Sequence, residues 1–126
     1  MNAGAQTPGR IVFSLPILPG RSETWRRFCQ ELAGACRREY SMSRRRLGIV
    51  RERAWLMPTS QAEIVILYIE AAEPAQLLPT LSASAHPFDR WLVQQLRELH
   101  GLDARQLARE CLPELVFAWD PAPADM

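Results

Sequence analysis

Lysine is absent: all fifteen basic residues among the 126 are arginine. A guanidinium offers a planar fork for bidentate capture of anions, which an ammonium lacks. In a chain this rich in Ala and Pro, however, the arginines read first as compositional bias. An excess of one charge is also lacking. Fifteen Arg meet fourteen acids, for a net charge of +1, so electrostatics gives no argument for nucleic acid or a membrane surface as partner. No apolar run reaches the roughly 18 residues of a transmembrane helix, and the stretch Met1 to Arg10 has no secretion-signal core. Cysteine is scarce and odd in number. Cys29, Cys36 and Cys111 form no C-x-x-C pair, and His86 and His100 stand isolated, so no metal site is expected. Free thiols without a secretion signal predict a reducing cytoplasm. No Gly-rich phosphate loop and no Ser-His-Asp order occurs.

What is present is ordinary for one globular domain. The chain is 48% hydrophobic and 23% charged, and a domain takes about 150 residues. Residues 1–9 and 121–126 read as tails around a domain at 10–120. Ile11, Phe13, Leu15 and Ile17 alternate as one face of a strand. Ser22 is placed to cap a helix running to about Arg46, with Trp25, Phe28, Cys29, Leu32, Cys36 and Tyr40 along its inner stripe and Gly48 just past its end. Cys29 and Cys36 read as buried small hydrophobes on that stripe. Val50 to Thr59 reads as an edge strand. Arg51, Arg53, Trp55 and Met57 share one face of it; Glu52, Ala54 and Leu56 share the other. Glu63 to Glu70 is apolar on both sides, as a covered central strand is. A helix opens at Pro74 and breaks at Ser82 to Pro87. A second runs from Pro87 to His100, and Asp103 is placed to cap a short third. Glu114 to Asp120, with Leu115, Phe117 and Trp119 alternating, reads as a last strand.

The order predicts an α+β fold of the ferredoxin-like βαββαβ plan, with a four-stranded antiparallel sheet in strand order 4-1-3-2. Both helices of that plan cover one sheet face. The third strand is apolar on the other side too, and burying a Val or Ile gains roughly 1.5–3 kcal/mol. A second sheet packed back to back would cover it, so a homodimer is expected. The alternative is a monomer in which residues 102–112 fold over the open face.

Leu18-Pro19-Gly20-Arg21-Ser22-Glu23-Thr24-Trp25 resembles the strand-to-helix junction of the dimeric α+β barrel superfamily, which includes the antibiotic-biosynthesis-monooxygenase-like domains. Ser84-Ala85-His86-Pro87-Phe88, followed by Trp91, is similar to the end of their second helix. The resemblance implies a dimeric α+β barrel with a cleft, in a bacterial branch of a superfamily that holds cofactor-independent oxygenases, haem-degrading enzymes and isomerases. It fixes no reaction. Haem-degrading members use an Asn beside a Trp and a His, and the only Asn here is Asn2.

The expected function is therefore binding of a small hydrophobic or acidic molecule between sheet and helices, without a cofactor. His86 is the candidate base, because imidazole titrates near neutrality. Arg53 is the candidate anion anchor, with Trp55, Tyr68 and Trp91 as ligand contacts. Tyr40 is a further candidate hydroxyl donor to a cleft, and His100, at a helix C-terminus, reads as structural. Seven arginines from Arg37 to Arg53 support a second reading: a non-catalytic module docking an acidic protein or nucleic acid. Few aromatics interleave with them, which argues against nucleic acid as the partner.

Overall fold

The computed structural model describes residues 9–122. The expected tails fall outside the described residues, apart from Gly9, Pro121 and Ala122. Eight elements follow one another: β1 (Gly9–Pro16), α1 (Ser22–Ala33), α2 (Arg37–Arg46), β2 (Ile49–Pro58), β3 (Glu63–Ala71), α3 (Pro74–Ala83), α4 (Pro87–His100) and α5 (Ala104–Glu110).

The strands form one antiparallel sheet in the order β1-β3-β2. Alternation sets its two faces. Phe13 pairs with Leu67 and Leu15 with Val65; Ala54 and Leu56 of β2 meet the same two residues from the other side. Phe13, Leu15, Val65 and Ile69 are buried and share one core with Leu77, Leu78 and Leu81 of α3 and Leu107 of α5, so the helices lie over this inner face. The outer face carries Val12, Ile66, Tyr68, Arg51, Arg53, Trp55 and Met57.

Three expectations are corrected. First, the sheet has three strands, not four. The Ser14 amide donates to the Cys111 carbonyl at 2.9 Å, on the β1 edge where a fourth strand would sit. Beyond that bond Glu114–Asp120 lies outside the sheet with no strand or helix assigned, and Phe117 is 78% and Trp119 68% exposed. Alternation supplied the local signal, but a strand needs a partner for its backbone groups. Second, the long helix is two helices. Gly34, whose amide turns back to the Glu31 carbonyl, ends α1, and the Cys36 amide shares that same acceptor. Glycine costs about 1 kcal/mol in a helix interior, so the break falls where propagation is weakest. Third, Ser22 is the first helical residue and not the cap; Arg21 holds that position without a side-chain bond.

Asp103 does cap α5. Its carboxylate accepts from the Gln106 amide at 2.9 Å, and the Gln106 side chain accepts from the Asp103 amide at 3.0 Å. This helix packs on α3, and Ala104, Leu107 and Cys111 enter the inner core. Residues 102–112 therefore do not shield the outer face, which removes the monomeric alternative in its original form. No helix among the described residues is long and apolar enough to cross a membrane.

Candidate functional site

Helices and sheet do not close completely. Between them lies a cavity of about 580 Å³, within the roughly 300–1,000 Å³ range of small-molecule sites. Phe13, Leu67, Trp25, Phe28 and Leu96 form much of its wall. Its polar end is built by α2 and β2. Tyr40 and Arg44 are four residues apart on α2, so they share a face. Glu52 belongs to the β2 face that looks inward.

These three side chains form one cluster. The Tyr40 hydroxyl donates to Glu52 Oε1. The same oxygen accepts from an Arg44 terminal nitrogen at 3.2 Å. The Arg44 guanidinium lies 4.3 Å from the Tyr40 ring centre, in the geometry of a cation–π contact. Burial first, then the Glu52 carboxylate, push the Tyr40 pKa far up, while Arg44 pulls it down; the hydroxyl stays a donor. Arg44 Nε is buried without a hydrogen-bond partner, the one such side-chain atom among the described residues. A buried donor left unpaired costs roughly 1–3 kcal/mol or more, so this N–H is the group most in need of an acceptor.

Cys29 and His100 also line the cavity. Burial, with Glu52 adding, pushes the Cys29 thiol up to about 11. It is therefore protonated at neutral pH and is no ready nucleophile. His100 is buried, and its Nδ1 donates to the Pro16 carbonyl at 2.8 Å. Burial lowers its pKa against that bond, so the ring is neutral, and the expected structural role is what its geometry provides.

A second buried cluster fixes α2. The Asp89 carboxylate accepts from Ser43 at 2.6 Å, Ser84 at 2.6 Å and Arg46 at 2.8 and 3.1 Å. Burial alone would raise its pKa; the bonds from Arg46, Ser43 and Ser84 outweigh it and hold the carboxyl well below its ordinary range. Asp89 thus clamps α2 to the start of α4 and to the α3–α4 link. Tyr40 and Arg44 inherit their position from that clamp.

Of the residues singled out from sequence, Tyr40, the further candidate hydroxyl donor, lines this cavity, whereas His86, Arg53, Trp55, Tyr68 and Trp91 do not. His86 is exposed, and its Nδ1 accepts from the Phe88 amide at 3.2 Å as the cap of α4. Arg53 and Trp55 stand on the outer face, with Arg53 donating to the Glu52 carbonyl at 2.9 Å. Tyr68, also outward, donates to Glu70 at 2.6 Å. Trp91 packs between Phe28 and Phe88, at ring distances of 5.6 and 5.3 Å. It reaches the site through Phe28, a cavity wall. Cys29 and Cys36 are half-buried rather than buried. Arg44 and Glu52 were hidden in what reads as a solvated arginine face. Among the described residues no group of three His, Cys, Asp or Glu could hold a metal.

Comparison with known proteins finds no matching family model, no matching curated protein and no matching solved structure.

Proposed function

We propose that this protein binds a small, largely apolar molecule in the cavity between sheet and helices, and that the molecule carries one neutral acceptor oxygen. The buried, unpartnered Arg44 Nε carries this reading. Glu52 already offsets the Arg44 charge. A carboxylate head would add a second anion beside one cation, whereas a ketone, ester or hydroxyl oxygen satisfies the N–H without that repulsion. The expectation of a hydrophobic or acidic ligand narrows to the neutral case.

If the site is catalytic, proton transfer of the cofactor-independent oxygenase or isomerase type falls to Glu52, with Tyr40 as donor. His86 stands outside the cavity. The assembly we propose is the homodimeric α+β barrel, in which a second copy covers the outer face, and the three free thiols favour a cytoplasmic setting.

The competing reading, an arginine-rich docking surface, loses part of its charge. Arg44, Arg46 and Arg51 are held by Glu52, Asp89 and Glu70.

Titration with prodan, a neutral naphthyl ketone, tests the proposal. Saturable binding is expected, little changed by salt. Arg44→Met should weaken it about 10- to 100-fold, the worth of one charge-assisted hydrogen bond. Absence of saturable binding, or equal affinity in the variant, overturns the reading.

A further inference from the structure

We propose that Glu114–Asp120 is an exchanged arm, which seats on the outer sheet face of a second copy of this chain. The inference rests on the two-copy reading above and names the element that makes the contact.

Among the described residues the arm pairs with no strand of its own body. Its root, Cys111, is bonded to Ser14 near the middle of β1. By strand alternation Arg10, Val12, Ser14 and Pro16 present their backbone groups on this edge. Towards the end of β1, Pro16 has no N–H, and its carbonyl is taken by His100. Towards the start, only Val12 and Arg10 remain before β1 begins at Gly9. Pro113, two residues past the root, cannot donate to that edge. Within the described residues, which begin at Gly9, the β1 edge offers no place for Phe117 and Trp119 in either direction.

The arm also has a matching seat. Leu115, Phe117 and Trp119 alternate in sequence, as one side of a strand does, and are 80%, 78% and 68% exposed. On the outer sheet face Trp55 is 54%, Met57 46% and Val12 38% exposed, and Ile66 lies among them. Glu114 and Asp120 flank the arm, and on the face Arg10 and Arg53 lie at the end where Arg51 pairs with Glu70, so one end of the seat carries a cationic excess. A stable interface buries about 800 Å² per partner. Phe117 and Trp119 supply roughly 150–250 Å² each, and Leu115, Trp55, Met57 and Val12 add the rest. Twofold symmetry makes the exchange reciprocal, so each copy gives an arm and receives one.

Sedimentation equilibrium of the full chain tests this. A particle of twice 14.3 kDa is expected. Phe117→Asp and Trp119→Asp should each weaken self-association about 30-fold or more, as loss of an aromatic hot spot does, with an unchanged circular dichroism spectrum. Trp55→Glu should do the same from the receiving side. A 14.3 kDa particle at every concentration overturns both the dimer and the arm. A dimer unaffected by both arm variants overturns the arm alone.

Discussion

Asp89 shows how one residue organises a site it does not touch. It is 1% exposed, yet four bonds from three side chains hold its charge. Removing one partner of such a pair strands the others. Asp89→Asn should cost about 2–3 kcal/mol in urea denaturation, and prodan affinity should fall with it as α2 loosens. His100 supplies a separate titration. Its folded pKa lies below the unfolded value of about 6.5. The unfolded chain therefore takes up the proton first as pH falls, and stability is lost below that value. Asp89, also depressed, loses its contribution only below about 4, where the unfolded carboxyl protonates. Chemical denaturation at pH 7.5 and 5.5 should show the first loss alone. His100→Gln keeps a donor for the Pro16 carbonyl and should flatten that difference. At this same scale the sequence was least legible. Parity decided it: on β2 the residues Arg51, Arg53, Trp55 and Met57 were correctly grouped on one face, but the cavity lies behind the other, with Glu52 and Ala54. Periodicity shows which residues travel together, not which side the helices take.

At the scale of elements, capping and alternation were the readable signals. The three strands, the helix from Pro74, the helix from Pro87 and the capped α5 all stand where residue chemistry put them. The break at Gly34 was not legible, because the apolar stripe continues across it from Leu32 to Cys36 and Tyr40. Gly34 weakens the helix there, and the packing of α2 against β2 and α4 adds to the choice of two helices over one. Element ends carry their own test. Gly101 closes α4 at φ 70°, with its amide on the Arg97 carbonyl at 2.9 Å. A side chain there would bring Cβ to 3.1 Å from Leu18. Gly101→Ala should therefore cost about 1–2 kcal/mol. Asp103→Ala, which removes half of the α5 capping box, should cost about 1 kcal/mol. The two sites flank Leu102, so a double variant that departs from the sum would show that both ends are set by one connection.

For the whole molecule, the unequal treatment of the two sheet faces is the governing fact. The inner face is closed by helices; the outer face and the arm leave Trp55, Met57, Leu115, Phe117 and Trp119 in water within a single copy. The pattern of Glu114–Asp120 read as a strand because it has a strand's alternation, and among the described residues it pairs with none. A chain whose folding is completed by a second copy couples stability to concentration. Each tenfold rise in concentration then adds about 1.4 kcal/mol per dimer, and the melting midpoint should climb about 3–5 °C. Trp119→Asp should move the onset of that slope to about 30-fold higher concentration while leaving the midpoint at low concentration nearly unchanged, because Trp119 is 68% exposed within one copy. A wild-type midpoint that stays constant over a hundredfold range of concentration would show that a single chain tolerates its bare face.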